Sequence, residues 1–257
     1  MRIYALANQK GGCGKTTTAI HLAAALQARG RRVLLVDLDP QAHATLGVGC
    51  FVGRGPSLVE VLNEEVPAAS VLRHLRVGLE LLPASLRLAE FEEEAVHALA
   101  PERALQRALA PLAARFDVAI LDCPPRADGV LTANALRAAS HVMLVVETGA
   151  FALQGALRAR EIFELLLADS PRSPELRVLA TMFDRRTRFA RDVLVAMQAR
   201  FGEAMYDTAI RSSVRLREAV ASGTPVLWSA PGSPSSLDFF ALADEVLRSP
   251  AVTHPQA

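Results

Sequence analysis

The feature that most constrains this 257-residue chain is a glycine-rich loop between a strand pattern and a helix pattern. Residues 3–8 form a short apolar run typical of a buried strand, and residues 16–29 carry apolar side chains at helical spacing. The loop between them reads Lys10-Gly11-Gly12-Cys13-Gly14-Lys15-Thr16-Thr17. Glycines at such a junction let successive backbone N–H groups turn inward around an anion, and the following helix adds its positive N-terminal end. The segment therefore predicts a phosphate-binding loop.

The use of lysine in the chain supports this prediction. Of the 28 basic residues only Lys10 and Lys15 are lysine, and both lie in the loop. A planar guanidinium cannot replace a compact ammonium group where one point charge must meet phosphate oxygens. In such a loop Lys15 can reach the β- and γ-phosphates, and the Thr16 hydroxyl can hold Mg²⁺. We therefore expect ATP or ADP and Mg²⁺ as cofactors, with the phosphates bound by Gly11, Gly12, Cys13, Gly14, Lys15, Thr16 and Thr17.

Strand and helix patterns alternate along the rest of the chain. Further buried-strand runs lie at residues 33–38, 118–122, 141–147, 176–183 and 204–210. Helical patterns lie at residues 103–115, 129–139, 153–168, 189–201 and 236–248. This alternation predicts an α/β fold with a doubly wound, mainly parallel sheet and helices on both faces.

We expect one domain over residues 1–248 and a loose C-terminal tail over residues 249–257, which contains two prolines. Residues 47–100 show no clear period. The acidic cluster at residues 90–94 is interpreted as a solvated helix face.

Composition excludes several classes of protein. The net charge is only +1, so the chain as a whole is not a polycation. No apolar run approaches the roughly 18 residues that a membrane span needs. The first residues enter a strand pattern at once, so we expect no signal peptide. The three cysteines, Cys13, Cys50 and Cys123, form neither a disulfide framework nor a metal-ligand spacing, which favours a cytoplasmic protein.

The loop departs from the standard phosphate-binding motif in one informative way. The standard motif has a glycine five positions before Gly14, where this chain has Gln9, and a lysine, Lys10, follows it. With this deviant Walker A box the sequence resembles the ParA/MinD group of P-loop ATPases. The resemblance implies an ATP-dependent homodimer in which Lys10 reaches across to the partner's nucleotide. A second cation near the γ-phosphate would stabilise charge during phosphoryl transfer.

Two aspartate boxes extend the resemblance. They are Val36-Asp37-Leu38-Asp39-Pro40-Gln41 and Ile120-Leu121-Asp122-Cys123-Pro124-Pro125, each at the end of a strand pattern. The resemblance implies that Asp39 orients the attacking water, so Lys10, Lys15 and Asp39 are the expected catalytic residues. It also implies that Asp122 contacts Mg²⁺ through water and that Asp37 helps to hold the loop and the magnesium shell. The expected metal site is therefore Thr16, Asp37 and Asp122, at the carboxyl edge of the sheet where ligands bind in such folds.

Within that group the chain resembles the ParA/Soj branch over residues 3–248. The segments that carry this likeness are the Asp37–Gln41 box with Ala44 and Thr45, and residues 81–84, 181–187 and 214–219. Relatives of the MinD type end in a basic amphipathic helix that lies on membrane. Residues 241–257 contain one arginine, so we expect no membrane attachment.

The ParA/Soj resemblance implies nucleotide-dependent binding of double-stranded DNA without sequence preference. Residues 185–217 contain eight arginines and three acidic residues, which suits contacts with phosphates. A charged solvated face is the alternative interpretation of this composition. The expected DNA contacts are Arg191, Arg211, Arg215 and Arg217. The resemblance further implies a ParB-like or cargo adaptor protein that stimulates hydrolysis, and a nucleoid-associated location.

Two other functions remain open from sequence. One is a membrane-positioning ATPase of the MinD or flagellar-number type. The other is a metabolic enzyme on the same scaffold, such as a ligase similar to dethiobiotin synthetase or the nitrogenase iron protein. The iron protein needs paired cluster-ligating cysteines, and no cysteine follows Cys123.

Overall fold

A seven-stranded sheet forms the centre of the protein, seen here in a computed structural model that describes residues 1–95 and 99–249. The strands are β1 (Arg2–Ala7), β2 (Val33–Asp37), β3 (Arg73–Arg76), β4 (Leu79–Leu82), β5 (Val118–Asp122), β6 (His141–Glu147) and β7 (Glu175–Thr181). Their order across the sheet is β3-β4-β2-β5-β1-β6-β7. All neighbouring pairs are parallel except β3 and β4, which are antiparallel. The predicted mainly parallel sheet is confirmed.

Helices cover both faces of the sheet. They are α1 (Lys15–Ala28), α2 (His43–Gly47), α3 (Leu58–Leu62), α4 (Ala68–Val71), α5 (Leu88–Glu94), α6 (Ala104–Leu109), α7 (Val130–Ala138), α8 (Ala152–Leu166), α9 (Arg188–Phe201), α10 (Val214–Ala221), α11 (Val226–Ser229) and α12 (Pro234–Arg248). Alternate strand residues enter two separate cores, because successive side chains of a strand point to opposite faces. Tyr4 and Leu6 pack with α1 and α12, whereas Ala5 and Ala7 join the core under α7 and α8.

The sheet brings several strand ends to one edge. Residues Leu6 and Asp37 are each in register with Asp122, so β1, β2 and β5 end at nearly the same level. The loop after β1 and the segments after β2 and β5 therefore start side by side. This is the carboxyl edge at which the sequence predicts a ligand site.

One predicted strand is wrong. Residues 204–210 form no strand, although Met205 makes an isolated bridge to Val178. The amides of Asp207 and Thr208 donate to the carboxylate of Glu245 instead of to a neighbouring strand. The amides of Tyr206 and Ile210 still donate to carbonyls of β7, so the carboxylate of Glu245 interrupts the ladder that a strand would need.

The predicted tail falls almost wholly outside the described residues, since residues 250–257 are not described. Its first residue, Ser249, belongs to the ordered body, because its carbonyl accepts from Arg2 and its amide donates to Glu245. The single domain over residues 1–248 stays a prediction.

A contact between two glycines fixes the loop that follows α2 against the end of α10. Gly49 and Gly223 have φ values of +75° and +66°, in the left-handed region. A Cβ atom on Gly223 would lie 2.7 Å from the Cα of Gly49. Both segments line the carboxyl edge, so this approach of two backbones sets the shape of that edge.

We expect Gly223→Ala to lower the free energy of unfolding by about 2 kcal/mol, because a side chain there meets both an unfavourable backbone conformation and a close backbone neighbour. The matched control is Gly155→Ala in α8, where an added Cβ has no neighbour within 4 Å. That control should be neutral or gain about 0.5–1 kcal/mol, since glycine is unfavourable inside a helix. Urea unfolding followed by circular dichroism measures both. Equal stability of the two variants would contradict the analysis.

Candidate active site

The glycine-rich loop lies at the centre of the carboxyl edge, between the end of β1 and the start of α1. Gly12 and Gly14 have φ values of +75° and +95°, which glycine adopts without strain. Gly14 occupies the N-cap of α1, and no side chain caps that helix. The first N–H groups of a helix have no partners within it, so this end is open to an anion.

Neighbouring strands hold the loop in place. The Asn8 amide group donates to the carbonyl of Val145 at 2.7 Å, and its oxygen accepts from the backbone N–H of Lys10 at 3.1 Å. The Thr181 hydroxyl donates to the carbonyl of Cys13 at 2.7 Å. Strands β6 and β7 therefore fix both halves of the loop before any ligand binds.

The two lysines of the loop have different surroundings. Lys15 is buried at the first position of α1, and its Nζ lies 3.3 Å from the carbonyl oxygen of Lys10. Lys10 has an exposed side chain whose Nζ pairs with the carboxylate of Glu147, at the end of β6. Lys15 thus faces the loop interior, whereas the side chain of Lys10 lies in an ion pair at the surface.

Asp122 is a fully buried carboxylate with no hydrogen-bond partner for either oxygen. Its burial and the neighbouring charge of Asp37 raise its pKa well above the usual range, although the Thr16 hydroxyl and Lys15 act in the opposite direction. The Thr16 hydroxyl lies near enough to affect this pKa without forming a full hydrogen bond. An ionised group in this setting requires a further cation or donors. Asp122 and Thr16 therefore fit Mg²⁺ bound through water.

Asp37 uses its carboxylate differently. One oxygen accepts from the amide of Asp39 at 3.1 Å, and the other accepts from the amide and the hydroxyl of Thr45, both at 2.7 Å. Burial raises its pKa to about 6, and the bonds from Thr45 and Asp39 limit that rise. All its close partners are protein donors. Asp37 therefore braces the segment after β2 that carries Asp39. Its part in the magnesium site stays a prediction.

Asp39 lies just beyond this brace. Its side chain is largely buried, and one carboxylate oxygen accepts from the amide of Gln41 at 2.9 Å. The other oxygen makes no hydrogen bond in the described residues. That oxygen is available to a water molecule at the mouth of the loop.

A cleft of about 680 Å³ brings most of these groups together. It is lined by Gly11, Gly12, Gly14, Lys15, Thr16, Thr17, Asp39, Gln41, His43, Leu46, Gly47, Pro125, Met182, Val220 and Ala221. A smaller cavity of about 90 Å³ adjoins it at Gly14, Thr17 and Met182. Ile210 and Leu216 give this cavity an apolar lining that suits a planar base. Within the described residues, no three His, Cys, Asp or Glu side chains form a metal-binding group.

The four arginines expected to contact DNA are not equivalent. Arg191 on α9 and Arg215 and Arg217 on α10 are exposed, and Arg217 also lines the small cavity. Arg211 instead forms a bidentate pair with Asp238, with nitrogen–oxygen distances from 2.6 to 3.0 Å. Its charge is therefore already neutralised, which disfavours it as a DNA contact.

The interpretation of residues 90–94 as a solvated face is wrong for Phe91, which is buried in the core, and for one oxygen of Glu92. One carboxylate oxygen of Glu92 is buried without a hydrogen-bond partner, close to Gly129 at the start of α7. Burial raises the pKa of Glu92, and the guanidinium of Arg126 lowers it. The helical period of α5 could have placed Glu92 near buried Leu88, but nothing in the sequence indicated Gly129 as its neighbour.

Comparisons with known proteins show the family of the chain. A family model described as an AAA domain matches residues 1–171. The chromosome-partitioning ATPase Soj of Thermus thermophilus is 42% identical over 248 residues, covering 96% of this chain and 96% of that protein. The chromosome partitioning protein ParA of Caulobacter vibrioides is 38% identical over 253 residues, covering 96% and 94%. The chain belongs to the ParA/Soj family of P-loop ATPases.

A solved structure supports the same fold. Cobyrinic acid a,c-diamide synthase from Mycobacterium smegmatis, crystallised with ADP and magnesium, superposes with a TM-score of 0.84 at 35% identity. The match covers 96% of this chain and 94% of that one. In the described part of the chain no helix is long and apolar enough to cross a bilayer.

We expect Asp122→Asn to raise the melting temperature of the nucleotide-free protein by about 2–4 °C at pH 7. The folded-state pKa of Asp122 lies above its unfolded value, so folding loses stability as pH rises above the unfolded pKa, and the neutral amide removes that loss. The variant should also lose the extra stabilisation that Mg²⁺ adds to ADP. Thermal melts with ADP and Mg²⁺, or with ADP and EDTA, measure both effects.

The control for this prediction is Asp207→Asn, since Asp207 is exposed and remote from the loop. It should change neither the melting temperature nor the response to Mg²⁺. A lowered melting temperature of Asp122→Asn without nucleotide would show that the buried carboxylate is stabilising and would contradict the analysis.

Proposed function

We propose that this protein is a ParA-type ATPase switch that binds DNA as an ATP-dependent homodimer and positions a cargo on it. The observation that supports the proposal is the pair of lysines in one loop. Lys15 is buried toward the open end of α1, whereas Lys10 is exposed on a surface ion pair. Two cations with these roles suit one nucleotide shared between two subunits.

In this scheme the loop N–H groups and Lys15 bind the β- and γ-phosphates. Thr16 and Asp122 would hold Mg²⁺, which would neutralise charge on the phosphate oxygens. Asp37 braces the segment that carries Asp39. Asp39 orients a water molecule whose oxygen forms a bond to the γ-phosphorus while the bond from that phosphorus to the β-phosphate oxygen breaks. The products are ADP, inorganic phosphate and a proton that passes to solvent. Lys10 leaves Glu147 and reaches the partner's phosphates when two subunits meet.

In this proposal DNA binding depends on exposed arginines that contact phosphates and do not recognise bases. Arg191, Arg215 and Arg217 supply charge for phosphate contacts, which carry no sequence information. Closure of the dimer places two such surfaces together. A ParB-like or cargo adaptor protein stimulates hydrolysis, and the ADP form leaves the DNA. The proposed location is the nucleoid.

We expect Asp39→Ala to bind ATP but to hydrolyse it at least about 100-fold more slowly, because the attacking water loses its positioned acceptor. The variant should accumulate as an ATP-bound dimer that remains on DNA. Phosphate release and size-exclusion chromatography with ATP or ADP measure the two effects. The control is Asp244→Asn, on the remote end of α12, which should behave as wild type. Normal turnover by Asp39→Ala would remove Asp39 from the proposed mechanism.

We expect duplex DNA of arbitrary sequence to bind with ATP, and at least about tenfold more weakly with ADP or no nucleotide, with affinity falling steeply as salt rises. Arg215→Glu should abolish that binding and leave basal ATP turnover unchanged. The matched control is Arg31→Glu, an exposed arginine before β2 on the opposite edge of the sheet. Fluorescence anisotropy across a salt series measures all of these. Equal binding in every nucleotide state, or equal loss in both variants, would contradict the switch.

A metabolic function is the second candidate, since the structure that matches at 35% identity is named as a diamide synthase. Such an enzyme would couple ATP cleavage to amide formation on a carboxylate substrate. This function would be favoured over the DNA switch if ATP turnover required cobyrinic acid and an ammonia donor and did not change when DNA was added.

A further inference from the structure

The hydroxyl of Thr45 occupies a position that connects two strand ends. Thr45 lies in the short helix α2 and is 1% exposed. Its Oγ1 accepts from the amide of Ala84, just beyond β4, at 3.0 Å, and donates to the carboxylate of Asp37 at 2.7 Å. The direction of both bonds is fixed, because an amide N–H can only donate and an ionised carboxylate can only accept.

The chain of contacts continues to the active site. The second carboxylate oxygen of Asp37 accepts from the amide of Asp39, and Asp39 in turn accepts from the amide of Gln41. The backbone at Asp39 is therefore held by Asp37, and Asp37 is held by Thr45. Within the described residues Asp37 receives no bond from a cation or from any other side chain.

This inference rests on the proposed hydrolysis. We propose that Thr45 is a positioning residue that fixes the orientation of the Asp39 carboxylate through Asp37. Without the hydroxyl, the carboxylate of Asp37 would keep two backbone donors, the amides of Asp39 and Thr45. The hydroxyl is the only side-chain donor among the three contacts in the described residues, and it links Asp37 to the segment just beyond β4. Loss of the hydroxyl therefore displaces the Asp39 segment without touching the groups that bind nucleotide.

The discriminating variant is Thr45→Val, which keeps the β-branched shape and removes both hydroxyl bonds. We expect kcat for ATP to fall about 10-fold, which is common when a residue that hydrogen-bonds to a functional carboxylate without touching the ligand is lost. KM for ATP and the affinity for ADP with Mg²⁺ should change by less than about twofold, since Lys15 and the loop are untouched. Thr45→Ser, which restores the hydroxyl, should recover most of the lost rate. The control Thr208→Val removes a hydroxyl remote from the network and should turn over as wild type.

Each outcome decides the proposal. A wild-type kcat in Thr45→Val, a parallel change in KM, or no rescue by Thr45→Ser would overturn it. Thr45→Ala serves as a second variant if the valine protein does not fold. Failure of both to fold or to bind ADP would make the hydroxyl a requirement of the fold and would also overturn the positioning role. If the wild-type protein itself hydrolyses no ATP, the proposed function fails too. If the wild type hydrolyses ATP and Thr45→Val has the same kcat, only the positioning role of Thr45 is rejected.

Discussion

The structure depends on the burial of acidic groups at one edge of the sheet. Asp37 and Asp122 are in register on adjacent strands and both are fully buried. Bringing two carboxylates out of water is costly unless each finds donors or a cation. Asp37 has three donors, whereas Asp122 has no hydrogen bond. The Asp122 carboxylate, which lacks a donor, lies beside Lys15 and the open end of α1. A cation bound together with phosphates would therefore neutralise Asp122, and the phosphates would neutralise Lys15.

The same constraint separates the roles of the two lysines. Lys15 is buried and lowers the pKa of Asp122, so its removal would leave that carboxylate without this cation. Lys10 pairs with Glu147 at the surface, where its side chain is 59% exposed. An exposed ion pair contributes only about 0–1 kcal/mol, so Lys10 can exchange this partner for another at little cost. The chain thus keeps one cation buried at its own phosphate loop and one in an exposed ion pair.

The sequence predicted those parts of the molecule that local chemistry determines. The loop, the strands that end in Asp37 and Asp122, and helices α1, α7, α8, α9 and α12 follow from apolar periodicity and glycine chemistry, and the structure has them at nearly the predicted bounds. Strands β3 and β4 were not predicted, because four-residue strands give too little pattern to read. The false strand at residues 204–210 and the buried oxygen of Glu92 have a common cause. Each depends on a partner far along the chain, Glu245 in one case and Gly129 in the other, which no local pattern reveals.

Long-range contacts also connect the two halves of the proposed switch. Helix α10 lines the large cleft through Val220 and Ala221, lines the small cavity through Leu216, and presents Arg215 to solvent. It has eight residues, too few to be stable by itself, so its position depends on what it packs against. One of those contacts is the close approach of Gly223 to Gly49, in the loop that follows the Asp39 segment. A change at the phosphates that moved this loop would therefore move the arginine-bearing helix as well, because two backbones in contact leave no side chain to absorb the displacement.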